Sequence, residues 1–275
     1  MSFLKAFFVF YSLFLLTACE SAADFQPANI TYERSRDALE MPMRSVAYSD
    51  VGEYSCRYVD EDIHYNGNTT LQLVNCLMEA PAGSRTLVLT SSGGNVDFGI
   101  FAAQFVRSMR LDVEVVGWCA SSCANYILPA ARRVYLDQHS VVFVHGAPQP
   151  PDRDQLIGAL ASSGFTEGMP DFETVVHDNM QRSELTYRLH QNFKKMFHVG
   201  DYYYELGDVY SSEKLVARPG TSNLVFVDPQ WLQACLTHVD VIAEAPNIPD
   251  LQKLFPRYNL VSFSQVRGHE YKCFP

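Results

Sequence analysis

Apolar and polar positions switch between two periods along the middle of the chain, and the switches set an order of elements. Thr86-Leu87-Val88-Leu89-Thr90 is a short β-rich run of the kind that forms a buried strand. It stops at Ser91-Ser92-Gly93-Gly94-Asn95, a sharp loop. After the loop, Phe98, Phe101, Ala102, Phe105, Val106 and Met109 recur at steps of three and four, which predicts an amphipathic helix. Residues 113–116 predict a second buried strand, and Gly117-Trp118-Cys119-Ala120-Ser121-Ser122-Cys123 a turn. Residues 124–131 are small and apolar, as in a short packed helix, and 141–144 form a third apolar run that stops at His145-Gly146. Strand, helix, strand, helix, strand in that order predicts an α/β domain with a mostly parallel sheet and right-handed crossover helices.

The flanks are less regular. Residues 54–80 hold short apolar runs around a Tyr65-Asn66-Gly67-Asn68 turn signal. Seven prolines and glycines between 147 and 175 predict a loop or irregular insertion. Leu185, Leu189, Phe193 and Phe197 lie four apart on a longer helix over 176–197, which Gly200 ends. Ser211-Ser212 caps a further short helix, and 224–227 and 231–236 predict a strand and a helix.

In parallel sheets, ligands bind at the carboxyl ends of the strands. The Ser-Gly-Gly loop, the Cys-Ala-Ser-Ser-Cys turn and His145 all fall at such ends, so three unrelated motifs converge on one sheet edge. A serine hydroxyl is a poor nucleophile until a base takes its proton, and His145 is a base suited to neutral pH. Ser122 at a helix start lies among unpaired backbone N–H groups at the positive end of a dipole. Each residue also has a plainer role. Ser122 fits a helix cap, Ser121 is the rival nucleophile, His145 fits a satisfied strand end, and Gly93 and Gly94 suit any tight turn.

Residues 60–220 resemble the Clp protease proteolytic subunit family, within the ClpP/crotonase-like fold, and more closely its exported relatives. The resemblance rests on Ser91-Ser92-Gly93-Gly94 after a strand, Ala120-Ser121-Ser122-Cys123 at a strand-to-helix turn, and His145 ending a later apolar strand. It implies Ser122 as nucleophile, His145 as base, and an oxyanion hole made by the backbone N–H groups of Gly94 and Cys123. It implies an orienting Asp after the long helix. Counting on from Gly200 points to Asp208, whereas counting back from Ser211 points nearer Tyr203. Ser92 departs from the family's proline. A Cys119–Cys123 disulfide, reminiscent of the exported relatives, would lock the nucleophile turn. The 147–175 insertion falls where cytoplasmic relatives carry their inter-ring handle. An oligomer is therefore possible, but not a Clp-type ring with an ATPase.

The N-terminus adds a location. Lys5, an apolar run over 6–16 broken only by Tyr11 and Ser12, and Leu16-Thr17-Ala18-Cys19 predict a secretory signal of the lipoprotein kind, with Cys19 lipidated. The expected organisation is a signal peptide over 1–18, a lipidated tether over 19–50, the ClpP/crotonase-like domain over 51–220 and a C-terminal extension over 221–275. The expected location is the periplasm, with the outer membrane favoured by Glu20 and membrane contact through the lipid only. Cys56, Cys76, Cys119, Cys123, Cys235 and Cys273 remain, an even number that suits three disulfides in an oxidising compartment. Proximity favours 56–76, 119–123 and 235–273 among the fifteen pairings. A formal charge of −10 argues against nucleic acid. No metal spacing and no cofactor motif is present. The expected function is a periplasmic serine hydrolase, most simply a peptidase taking peptides or unfolded chains. The alternative is a catalytically inactive module that binds peptides or an envelope partner. Crotonase-like thioester chemistry is disfavoured by the lack of a basic patch.

Overall fold

The computed structural model describes residues 31–36, 41–47, 55–204, 222–256, 258–263, 265 and 273. Asp208 and Cys19 lie outside the described residues. The described chain divides into two compact units, 148–192 and the remainder.

The larger unit is built on a mixed, mostly parallel sheet. An antiparallel pair, β1 (Thr31–Arg36) and β2 (Met41–Ala47), stands apart from it. The main sheet comprises β3 (Ser55–Val59), β4 (Asp62–Asn66), β5 (Thr86–Ser91), β6 (Asp112–Ala120), β7 (Arg133–Leu136), β8 (Val141–Phe143) and β10 (Asp240–Ala243). Its order is β10-β7-β6-β5-β4-β3, with β8 also paired to β6. Only β3 with β4 is antiparallel. Every residue of β5 and β6 is buried, as expected of strands covered on both faces. Each fully buried Leu or Val there contributes roughly 1.5–3 kcal/mol.

The crossovers are α1 (Leu71–Met78), between β4 and β5, and α2 (Val96–Ser108), between β5 and β6. They pack on one another. The Cys56–Cys76 disulfide ties edge strand β3 to α1. Helix α2 starts where the loop predicts, with Asn95 Oδ1 accepting from Phe98 N–H. After β6 come a π-turn (Cys123–Ile127) and the single turn α3 (Leu128–Ala130).

One irregularity shapes the site. The second strand does not stop at 116; it runs on to Ala120 through a bulge. Leu89 faces Val115 and Ser91 faces Cys119, so two steps on β5 match four on β6. Gly117, at φ 77°, makes the bend. Hydroxyls satisfy the displaced carbonyls: Ser140 Oγ donates to Val115 O, and Thr90 Oγ1 to Val116 O. The first half of β6 therefore pairs with β7 and its second half, Trp118 to Ala120, with β8.

Beyond the long helix, β9 (Ser222–Phe226) and β11 (Tyr258–Ser262) form a separate parallel pair. Val227 N–H donates to Val142 O on β8. Helix α6 (Pro229–Cys235) is held by the Cys235–Cys273 disulfide, and α7 (Ile248–Leu254) precedes β11. Strand β10 extends the main sheet beside β7.

The smaller unit corrects one expectation. The insertion read as irregular holds α4 (Arg153–Ser162), capped by Asp152, whose carboxylate accepts from the N–H groups of Asp154 and Gln155. Flanking prolines hid this cap. Its Leu156 and Leu160 form a small core with Phe172 and Val176 of α5 (Phe172–Phe197).

Candidate active site

Ser121 stands at the corner between β6 and the π-turn. Its N–H donates to Phe143 O on β8, which continues the β6–β8 ladder by one residue. At φ 54° it occupies the left-handed region, a costly conformation for a residue with a side chain. The corner throws its hydroxyl out of the sheet, and Ser121 is partly exposed.

Two residues past Phe143, His145 meets that hydroxyl, with Nε2 2.5 Å from Ser121 Oγ. The other ring nitrogen, Nδ1, lies 3.1 Å from Gly146 O. A carbonyl only accepts, so Nδ1 carries the proton and Nε2 is the bare nitrogen. Ser121 Oγ–H therefore donates to Nε2, the arrangement that general-base activation requires. Burial lowers the pKa of His145, against the upward pull of the Gly146 carbonyl, so the ring is neutral at pH 7.

The serine that the family register favours points elsewhere. Ser122 is 2% exposed and its hydroxyl has no hydrogen-bond partner among the described residues. It packs against Gly99 of α2, where a methyl on Gly99 would stand 3.3 Å from Ser122 Cβ. The strand ends at Ala120, so the first serine takes the corner and the second becomes the first helical residue. The hydroxyl brought to His145 is thus that of Ser121.

This register also shifts the N–H group expected beside the nucleophile. The residue after Ser121 is Ser122, where the implied pattern from Ser122 named Cys123. Backbone N–H groups in a first helical turn have no intrahelical acceptor. Gly93 leaves room in front of the turn: a methyl there would stand 2.5 Å from Ala120 O and Ser121 Cβ, and 2.9 Å from Ser122 N. Gly94 forms a parallel bridge with Thr69, in which Thr69 N–H donates to Gly93 O and Asn95 N–H to Thr69 O. In such a bridge the middle residue's own N–H turns away from the partner strand. Gly94 therefore offers its N–H on the side opposite Thr69. Ser92, which stands where the resembled family has proline, is held by Trp118, whose Nε1–H donates to Ser92 Oγ at 3.1 Å.

Among the described residues, no carboxylate hydrogen-bonds to His145. Tyr203, the other position reached by counting, supports the turn from behind: its hydroxyl donates to Ala124 O at 2.8 Å, and that of Tyr204 to Asn125 O at 3.2 Å. Tyr203 is itself stacked on Trp231 at 5.6 Å. Cys119 and Cys123 are bonded across the turn, with Cα atoms 5.4 Å apart. Their fully buried sulfurs clamp the end of β6 to the start of the helix around Ser121.

No protein-family profile matches the sequence, and no curated protein matches it. Solved structures similar to part of the chain include an enoyl-CoA hydratase from Mycobacterium avium subsp. paratuberculosis K-10, at 10% identity and a TM-score of 0.29, covering 55% of this chain and 88% of that one. An enoyl-CoA hydratase from Bacillus halodurans matches at 8% identity and a TM-score of 0.28, covering 52% and 85%. Likeness of that degree carries no argument about chemistry.

Proposed function

We propose that the protein is a serine hydrolase of the ClpP/crotonase-like kind in which Ser121 is the nucleophile and His145 the base. The observation that carries the reading is the 2.5 Å approach of Ser121 Oγ to the unprotonated Nε2 of His145. Ser121 Oγ attacks a carbonyl carbon while its proton passes to Nε2. The oxyanion is held by the N–H groups of Gly94 and Ser122. The imidazolium, its Nδ1–H already on Gly146 O, then gives the Nε2 proton to the leaving group. Water attacks the acyl-enzyme by the same route in reverse. Removing one oxyanion donor typically costs about 2.7–4 kcal/mol of activation energy. The substrate class proposed is the peptide, including segments of unfolded chains. Asp208 enters only as the residue that counting from Gly200 suggests.

The reading is tested with a fluorophosphonate probe on the purified protein. Labelling that depends on Ser121 and His145 supports it. Absence of any labelling favours the inactive peptide-binding module.

The site is proposed to work in the periplasm on a lipid anchor at Cys19. Support comes from the Leu16-Thr17-Ala18-Cys19 sequence after its apolar run and from three cysteine pairs at disulfide distance. Growth with an alkyne fatty acid should label the wild-type protein and leave Cys19→Ala unlabelled. Equal labelling of both removes the anchor.

A further inference from the structure

Asn125 lies in the π-turn, 2% exposed, in a run that is otherwise small and apolar. Its bonds reach both members of the Ser–His pair. Its backbone N–H donates to Ser121 O at 2.8 Å. Its Nδ2 donates to His145 O at 2.9 Å, with a longer contact of 3.5 Å to Gly146 O. Two carbonyls facing one end of the amide fix its orientation, because the reversed amide would set oxygen against oxygen. Gly146 O is also the acceptor for His145 Nδ1. The side chain of Asn125 therefore holds the His145–Gly146 peptide through His145 O and reaches, at longer range, the Gly146 carbonyl that dictates which ring nitrogen of His145 is bare.

The cost is visible. Asn125 Oδ1 is buried without a hydrogen-bond partner among the described residues. Leaving such a group unsatisfied is destabilising. An apolar residue of the same size would avoid that cost, so this position is not explained by packing.

We propose that Asn125 is the positioning residue of the Ser121–His145 pair, joining the turn at Ser121 to the carbonyls of His145 and Gly146 so that Nε2 is held bare and facing Ser121 Oγ. The proposal rests on the hydrolase reading for its catalytic meaning. In the described structure this amide, and no carboxylate, is the side chain that secures the histidine.

Asn125→Leu keeps the volume and removes the donor. Fluorophosphonate labelling at varied probe concentration separates the maximal rate from the half-saturating concentration. Misplacing a catalytic group by an ångström costs up to about 100-fold, so the expected loss in Asn125→Leu is ~10–100-fold in maximal rate with little change in half-saturation. Nitrogen NMR of the His145 ring should report a single Nδ1–H form in the wild type and a mixture in the variant, with the melting temperature preserved. A role confined to packing would lower the melting temperature and leave the ring nitrogens alone. Wild-type labelling rates and an unchanged ring in Asn125→Leu overturn the proposal. If that variant does not fold, the unaltered protein still decides: protected Asn125 side-chain amide protons support the proposal, and freely exchanging ones overturn it. If the wild type never labels, the hydrolase reading fails, while the ring and amide measurements still judge Asn125.

Discussion

Gly93 occupies a point that any side chain would share with the turn at Ser121. At φ 87° it is in the left-handed region, and a methyl there would collide with Ala120 O and Ser121 Cβ. The neighbours are backbone and the Cβ of Ser121, so neither yields by a rotamer change. Gly93→Ala should therefore cost at least about 1–2 kcal/mol from the backbone alone and displace Ser121 enough to remove most probe labelling. Thermal melts and labelling of the same sample check both, and a variant that labels at the wild-type rate contradicts the placement of the loop. His145 adds a pH signature. Burial holds its folded pKa below the ordinary value of about 6.5, so the base stays neutral into mildly acidic solution, and the labelling profile should have its midpoint below that value. The sign for stability follows from proton uptake. As pH falls below 6.5 the unfolded chain binds a proton that the folded His145 refuses, so stability declines with falling pH until the folded pKa is passed. Denaturant unfolding of wild type and His145→Gln across that range checks the difference.

The turn that carries Ser121 is fixed from three sides. The bulge at Gly117 sends β6 towards β8, the Cys119–Cys123 bond closes the corner, and Tyr203 and Tyr204 take up the carbonyls of Ala124 and Asn125. The disulfide is the part most easily removed. A bridge closing so short a loop is worth about 2 kcal/mol in the chain-entropy account. The double variant Cys119→Ala/Cys123→Ala should lower the melting temperature by roughly 4–8 °C and slow Ser121 labelling, because the left-handed corner loses its clamp. Unchanged labelling in that variant would show that the bulge and the tyrosines suffice. These elements also mark where sequence reading stopped. The strand β5, the loop after it and helix α2 were legible because periodicity and turn chemistry agree there. The run of β6 through Gly117 was not, because a glycine before Trp-Cys-Ala reads as a turn, while the bulge depends on hydroxyls from Thr90 and Ser140 that lie far along the chain. The family register favours Ser122, whereas the strand's end at Ala120 brings Ser121 to His145. A strand thought to end at 116 leaves Ser121 and Ser122 equivalent, whereas one ending at Ala120 makes Ser121 the corner. Asn125 had a signal, a lone amide in an apolar run, but its partners, the carbonyls of His145 and Gly146, lie some twenty residues on, past the end of β8, and could not be read locally.

For the molecule as a whole, the parallel α/β architecture and the convergence of three motifs at one sheet edge were readable from the order of elements alone. The edges of the sheet were not. Strand β10, at the far side of β7, comes from the C-terminal region expected only as an extension, and α4 was hidden by prolines around a good aspartate cap. Burial explains both: short half-exposed edge strands and a helix with a small apolar face carry weak periodicity. What the large unit achieves is to hold one hydroxyl against one imidazole at the partly exposed end of a sheet whose central strands, β5 and β6, are buried. The most direct test is peptide mapping by mass spectrometry after fluorophosphonate labelling of the wild type, Ser121→Ala and Ser122→Ala. The geometry predicts the adduct on Ser121, its loss in Ser121→Ala, and near-normal labelling in Ser122→Ala, where a buried hydroxyl turned away from His145 has been removed. An adduct on Ser122, or labelling that survives Ser121→Ala and disappears in Ser122→Ala, would contradict it.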